Sequence, residues 1–263
     1  MAGRFNRTLG AAGVALLALA GPVAADGYEG GMKDAAPAEE GRKFSWSFNI
    51  GGTSDYVFRG VSQSDEDPAF QAGIDASYGI FYIGAWGSGI DFEDTADEVA
   101  EIDLYGGIKP TWGKVTFDLG VIYYWYPGTF NNPEADYVEL KAGYSYAWTD
   151  SFSSGTTVYW TPDNTLETGE LWTIESTAAY TLPAWRIFTP TISGVIGFQY
   201  AENDIFGVNE DEFTYWNAGL ALAVEKFTFD FRYWDTDGSS AFCEGAFLQC
   251  DERFVFTAKV TLP

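Results

Sequence analysis

The sequence predicts an all-β protein: a single transmembrane, antiparallel, up-and-down β-barrel of about twelve strands, with short periplasmic turns and longer acidic outer loops. Three observations predict this fold class. Segments of alternating apolar and polar residues recur along the chain, the connections between them alternate between short and long, and aromatic residues concentrate near both ends of the apolar faces. A bilayer favours all three, because lipid contacts the apolar faces and both membrane interfaces accommodate aromatic rings.

The N-terminal segment has the organisation of a signal peptide. Arg4 and Arg7 precede an apolar run from Leu9 to Ala20, and small residues follow up to Ala25. A membrane anchor is the alternative, but a spanning helix needs roughly 18 to 20 apolar residues and this run is shorter. We therefore predict a signal peptide at residues 1–25, a flexible leader at residues 26–43 and the transmembrane barrel at residues 44–263.

The composition excludes several classes of function. Lys and Arg number 14 and Asp and Glu number 38, which gives a formal net charge of −24. We expect no nucleic acid as a partner, because its phosphates would repel so acidic a chain. The chain has no histidine, two methionines and two cysteines. The usual catalytic constellations and transition-metal ligands are therefore missing, and we expect no enzyme activity, no metal and no cofactor.

Alternation begins at Phe44. From there to Phe58 most even positions are apolar or aromatic, whereas most odd positions up to Gln63 are polar. This pattern predicts one long first strand with Tyr56 on its apolar face. The same period predicts nine further strands, at residues 70–78, 102–108, 115–125, 138–146, 172–182, 188–200, 216–224, 227–233 and 254–262. Two other segments, at residues 81–90 and 156–160, are also predicted as strands, although the pattern leaves their facing open.

The connections predict how the barrel is oriented. Short ones fall near Gly79, Gly113, Asp150, Pro183 and Glu225. Short periplasmic turns opposite long outer loops are typical of transmembrane barrels, and an even strand number places both termini on the periplasmic side. The long connections are expected at residues 63–68, 91–98, 127–136, 161–170, 201–212 and 235–252.

Alternation alone does not say which face points outward. A soluble lipocalin-like barrel or a β-sandwich would bury the apolar faces, whereas a membrane barrel exposes them to lipid. The aromatic ends, the loop asymmetry and the many charges on the polar faces favour lipid on the apolar side. The expected pore-lining residues are Asp55, Arg59, Asp75, Glu101, Asp103, Lys109, Asp118, Glu139, Lys141, Glu175, Asp230, Arg232 and Lys259.

Two pairs of opposite charges stand close together on these polar faces. Asp55 precedes Arg59 by four residues, and Asp230 precedes Arg232 by two. Each pair is expected either to form a constriction with a transverse field or to neutralise itself inside a wet barrel. The inward positions also include large rings that either fill space or stack on a solute, namely Tyr105, Tyr124, Tyr126, Tyr137 and Trp234.

A family resemblance rests on three segments. These are residues 54–64 (SDYVFRGVSQS), residues 68–75 (PAFQAGID) and residues 81–88 (FYIGAWGS). They resemble the opening motif of the TorF-type family of porins in proteobacterial outer membranes, and the match is specific over residues 44–90. The resemblance implies an outer-membrane location and a porin-like role.

The last long connection carries both cysteines. Cys243 and Cys250 lie close in sequence within an exported chain, so we predict a disulfide between them that holds this loop compact. Acidic groups such as Asp235 and Asp237 bring oxygen ligands into the loops, but the full spacing of a calcium loop is absent. Solvated acidic loops are expected there, bridged to anionic surface lipid by divalent ions.

Two function classes remain from the sequence. The first is a passive channel of the bacterial outer membrane for small solutes, with a net acidic lumen and a preference for cations. The alternative is a non-conducting outer-membrane barrel with a structural or surface-interaction role through its loops. Expected partners are outer-membrane lipid and lipopolysaccharide, small solutes or cations, and the barrel assembly machinery.

Overall fold

The computed structural model describes residues 43–92, 99–127, 135–165, 169–202, 211–238, 243 and 249–263. The predicted signal peptide and all of the predicted leader except Lys43 lie outside the described residues, as do parts of five predicted long connections. No helix within the described residues is long and apolar enough to cross a membrane.

The described chain forms fifteen strands. In chain order they are β1 (Phe44–Thr53), β2 (Val57–Phe58), β3 (Val61–Ser62), β4 (Ala69–Tyr78), β5 (Phe81–Gly89), β6 (Ala100–Ile108), β7 (Thr111–Trp112), β8 (Val115–Trp125), β9 (Tyr137–Ala147), β10 (Phe152–Thr161), β11 (Leu171–Thr181), β12 (Thr189–Ala201), β13 (Glu212–Val224), β14 (Phe227–Thr236) and β15 (Arg253–Leu262).

Twelve of these strands close into one antiparallel barrel. Each pairs with its neighbour in sequence, β6 pairs directly with β8, and the ring closes where β1 pairs with β15, with Thr53 opposite Thr257. The short β7 pairs only with the first two residues of β8, and β2 pairs only with β3. The prediction of an all-β, up-and-down barrel of about twelve strands is confirmed.

The two faces of the wall differ as the alternation predicts. On β11, Thr173 and Glu175 are buried inside the barrel, whereas Trp172 and Ile174 between them are exposed on the outside. Aromatic residues also lie exposed near both ends of the strands, as an outer surface in contact with lipid and its two interfaces requires. At the short-turn end they include Trp46, Tyr78, Tyr144, Tyr180 and Phe227, and at the long-loop end Trp125, Trp172 and Tyr200.

The first strand is shorter than predicted, and the placement of Tyr56 on the outer face is wrong. Strand β1 ends at Thr53, where the hydroxyl donates to the backbone oxygen of Asp55 and the chain leaves the wall. Residues 54–68 turn inward, and within them β2 and β3 form a hairpin inside the barrel. We call residues 54–63, with this hairpin at their centre, the inner hairpin. Its turn needs left-handed backbone at Arg59 (φ 50°) and Gly60 (φ 85°), and glycine adopts this conformation without a steric cost.

Inward tyrosines lie against glycines of neighbouring strands. A Cβ built on Gly107 would stand 2.3 Å from the backbone oxygen of Leu119 and 2.6 Å from the hydroxyl of Tyr82. A Cβ on Gly197 would stand 2.1 Å from the ring of Tyr215. These glycines therefore leave the room in which large inward rings lie flat along the wall.

We predict that Gly107→Ala destabilises the barrel by about 1 to 3 kcal/mol, because the backbone of Leu119 cannot move away without disturbing the strand pairing. The matched control is Gly89→Ala, where an added Cβ meets open space. Urea unfolding of both variants in lipid vesicles, followed by tryptophan fluorescence, measures the difference. Equal unfolding midpoints for the two variants would contradict this reading of the contact.

Candidate functional site

The charged residues predicted on the polar faces all lie inside the barrel. Asp55 and Arg59 belong to the inner hairpin, Lys109 directly follows β6, and the others occupy inward positions of the strands. They gather in three groups. One surrounds the inner hairpin at the long-loop end, one lies toward the short-turn end around Asp118, and one surrounds Arg232.

The strongest contact of the inner hairpin is a buried ion pair. Arg59 donates through Nη1 and Nη2 to the two carboxylate oxygens of Glu139 on β9, at 2.9 and 2.8 Å. Thr161 and Tyr124 donate to the same carboxylate at 3.3 and 3.2 Å. The guanidinium also lies 4.7 Å from the ring centroid of Tyr159. Burial alone would lower the pKa of Arg59, but the charge and hydrogen bond of Glu139, together with Tyr124 and Tyr215, outweigh burial and hold that pKa above its usual value.

Other side chains attach the base of the inner hairpin to the wall. Tyr56 donates to Glu101 on β6 at 2.7 Å, and Tyr126 donates to the second oxygen of that carboxylate at 2.9 Å. Asp55 accepts a hydrogen bond from Arg253 at the start of β15, at 2.9 Å. The expected pairing of Asp55 with Arg59 is therefore wrong, because each charge meets a partner on a different strand of the wall.

Two apolar clusters enclose the inner hairpin from opposite sides. Tyr56, supported by Phe58, packs into a cluster formed with β4 to β6 and β8 to β10. Val57 and Val61 pack into the other, formed with β11 to β15 and the disulfide. The large rings expected to face inward lie in these clusters, namely Tyr105, Tyr124, Tyr126, Tyr137 and Trp234. The long-loop end of the barrel is thus packed with side chains.

The short-turn end is more open to water. Asp118 on β8 lies 3.0 Å from the ammonium of Lys141 and 3.5 Å from that of Lys109, and it accepts a hydrogen bond from Tyr82 at 2.7 Å. The side chain of Asp118 is 21% exposed, whereas those of Arg59 and Glu139 are 4% and 1% exposed. Nearby, Asp75 accepts a hydrogen bond from Tyr105, and Lys259 lies on the inward face of β15. This group carries one more positive than negative charge.

Arg232 organises the third group. Its guanidinium contacts both oxygens of Asp230 at 3.0 and 3.1 Å, and it donates to Asn217 at 2.6 Å and to Ser193 at 2.9 Å. The expected pairing of Asp230 with Arg232 is therefore present. Two residues on neighbouring strands complete it, so the planar guanidinium holds β12, β13 and β14 together from inside.

Sequence reasoning missed three residues that complete these groups. Arg253 is not among the expected pore-lining residues, but it reaches back to Asp55 and Glu66. Tyr56 was assigned to the lipid face, and the inward facing of Tyr82 on β5 was left open. Gly60, directly after Arg59, was a usable signal for Tyr56, because a glycine inside an alternating segment indicates a bulge, a bend or a close backbone approach.

The predicted disulfide between Cys243 and Cys250 is confirmed, with a Cα–Cα distance of 4.8 Å. Both residues are buried, and the hydroxyl of Thr236 donates to the backbone oxygen of Cys250 at 3.1 Å. The carboxylates of Asp235 and Asp237 accept backbone hydrogen bonds from Thr236 and Thr214. Among the described residues, no group of three or more acidic or cysteine side chains is placed to hold a metal ion.

We predict that Arg232→Lys destabilises the barrel by about 1.5 to 3 kcal/mol, because a lysine cannot reproduce the planar set of bonds to Asp230, Asn217 and Ser193. Arg186→Lys in the exposed turn after β11 is the control and should change stability by less than about 0.5 kcal/mol. Urea unfolding midpoints measure both. If the two variants unfold alike, the guanidinium does not join these strands.

Solved porin structures share the barrel. The structure titled "KdgM porin" aligns with a TM-score of 0.52 at 7% identity, covering 82% of this chain and 99% of that one. A NanC porin structure aligns with a TM-score of 0.55 at 9% identity, again covering 82% and 99%. Identities this low concern the fold alone.

The comparisons of sequence point to a family rather than to a characterised protein. No curated protein matches the chain. A family profile matches residues 37–262, and its description is "Bacterial protein of unknown function (Gcw_chp)". That description does not confirm the TorF-type name. The match spans nearly the whole barrel, and the chain therefore belongs to the Gcw_chp family of bacterial proteins.

Proposed function

We propose that this protein is a passive channel of the bacterial outer membrane that admits small solutes and prefers cations. The observation that carries the proposal is a closed twelve-strand barrel with a porin fold, whose interior carries charged side chains and whose exterior is apolar with aromatic ends. Charged side chains on the inside of a lipid-facing barrel are what a wet passage requires.

The location follows from the same features. An apolar outer wall is stable only against lipid, and the predicted signal peptide would bring the chain out of the cytoplasm. The resemblance of residues 54–88 to TorF-type porins agrees with this location. The expected partners are therefore outer-membrane lipid, lipopolysaccharide and the barrel assembly machinery.

The strand number limits the width of the passage. Barrels of about eight strands are filled by their own side chains, and those of 16 to 18 strands leave a wide aqueous pore. Twelve strands lie between these cases, so we propose a narrow passage for ions and small solutes.

The cation preference arises at the outer mouth. The six long connections carry 23 acidic residues and no lysine or arginine. Four carboxylates, those of Glu101, Asp103, Glu139 and Glu175, lie on the inner wall toward the same end. The short-turn end is mixed in charge, with lysines around Asp118, and does not favour cations. Among the thirteen predicted pore-lining residues, the group at the long-loop end is net negative even though Arg59 balances Glu139, the group around Asp118 carries one net positive charge, and Asp230 with Arg232 is neutral.

A second candidate is the non-conducting barrel with a role at the cell surface. One specific observation favours it: the inner hairpin and the surrounding rings fill the long-loop end of the lumen, and Tyr56, Tyr124, Tyr215 and Trp234 have no exposed surface. Catalysis is a weaker candidate, because the chain lacks histidine and the porins that share its fold suggest no reaction.

We predict that the purified barrel in a planar lipid bilayer shows a reversal potential of the sign expected for cations in a tenfold KCl gradient. The preference should weaken as salt rises from 0.1 M to 1 M, since the Debye length falls from about 10 Å to about 3 Å and screens the acidic mouth. Neutralising Asp235 and Asp237 together should reduce the preference, whereas neutralising Glu225 at a short turn should not. Anion selectivity, or silence of a folded barrel at every salt concentration, contradicts the proposal.

A further inference from the structure

We propose that the inner hairpin is a movable plug, which closes the long-loop end of the barrel and is held there by the ion pair of Arg59 with Glu139. This inference rests on the proposed channel function, because a plug regulates passage only where there is a passage. We call the ion pair the latch. Opening means that the latch parts and the inner hairpin leaves the lumen while the barrel wall stays closed.

The inner hairpin crosses the whole lumen. It starts between β1 and β4, and its side chains reach Glu101 on β6 and Glu139 on β9. At its tip, a Cβ on Gly60 would stand 2.5 Å from Thr236 on β14 and 2.9 Å from Tyr215 on β13. The inner hairpin therefore contacts the wall on both sides of the ring.

The inner hairpin is nevertheless independent of the barrel's hydrogen-bonded ladder. Strands β2 and β3 have two residues each and pair only with one another. Beyond the base, where Ser54 N donates to Phe256 O on β15, the backbone bonds that join the hairpin to the rest of the chain go to neighbouring connections. They run from Ser62 N to Gln249 O and from Asp91 N to Gln63 O. Its removal therefore breaks side-chain contacts and a few loop bonds, and it leaves all twelve strand pairings intact.

The latch stabilises the closed state and makes that state dependent on both charged partners. Two buried charges in contact stabilise each other, but removal of one leaves the other without a counter-charge in a dry environment. The loss of either partner should therefore favour the state in which the remaining charge reaches water. The disulfide-bonded residues Cys243 and Cys250 belong to the same apolar cluster as Val57 and Val61 of the inner hairpin, so this cluster supports the closed state.

The two ends of the inner hairpin lie close enough together for the residues between them to be removed and replaced by a short turn. The backbone amide of Gln63 donates to the carbonyl of Tyr56 at 2.6 Å, so these two residues already lie side by side. Replacement of residues 57–62 by two glycines would remove the plug and Arg59 together, while Tyr56 keeps its bond to Glu101. The variant's folding is checked by heat-dependent gel migration and far-ultraviolet circular dichroism.

The first experiment compares single-channel conductance of the full-length mature protein with that of the 57–62 replacement. We expect the parent to conduct in brief openings, which suffice to measure a reversal potential, and we expect the replacement to conduct with at least a fivefold higher time-averaged current. Equal currents in the two proteins would overturn the plug and leave the channel standing. A folded replacement that never conducts would overturn the channel itself.

The second experiment follows the inner hairpin without using conductance. Val57 has no exposed surface, and the described cysteines are joined in the disulfide, so Val57→Cys introduces a buried thiol. Under non-reducing conditions, we expect a hydrophilic maleimide to label this thiol slowly in the parent and at least tenfold faster when Glu139→Gln is added.

Glu225→Gln is the matched control for that change, because it makes the same substitution in an exposed turn at the other end of the barrel. It should leave the labelling rate of Val57→Cys unchanged. Equal labelling rates with and without Glu139→Gln would overturn the latch. Faster labelling in a barrel that never conducts would retain a movable hairpin and reject its role in passage.

Discussion

The closure of the sheet between β1 and β15 is the constraint on which the rest of the structure depends. In lipid, an unpaired backbone N–H or C=O group costs several kcal/mol, so a sheet that crosses a membrane must have no free edge. Pairing of the first barrel strand with the last removes that edge. The ring then contains twelve strands, and every second side chain of each strand faces an enclosed interior.

That interior holds charges in two physical settings. At the long-loop end, Arg59 and Glu139 are removed from water and depend on each other and on the surrounding hydroxyls. Toward the short-turn end, Asp118 shares two lysines and retains contact with solvent. An ion pair of the first kind fixes a conformation, because its separation is costly, whereas one of the second kind is screened and mainly sets the local potential. The same residue types thus position a segment in one zone and tune the field in the other.

The barrel was predictable from the sequence because lipid on one side and polar groups on the other force a two-residue period on every strand. Strand β8 was predicted with the bounds that it has, and the others differ by a few residues. The inner hairpin was not, because alternation continues through Tyr56 and Phe58 after the chain has left the wall. The partners of its charges were also hidden: Glu139 lies 80 residues from Arg59, and Arg253 lies 198 residues from Asp55. The alternation of apolar and polar residues predicts which side of a strand is polar, but it does not predict which side chains meet across the lumen.

The bond between Asp55 and Arg253 joins the first connection of the barrel to its last strand. Asp55 lies in the first connection to be synthesised, and Arg253 opens the last strand. Arg253 opens the strand that closes the ring, so it lies beside Asp55 only once β15 has paired with β1. The base of the inner hairpin therefore gains this partner only on closure of the wall. Closure of the ring and fixation of the segment that enters the lumen are thus coupled through one ion pair.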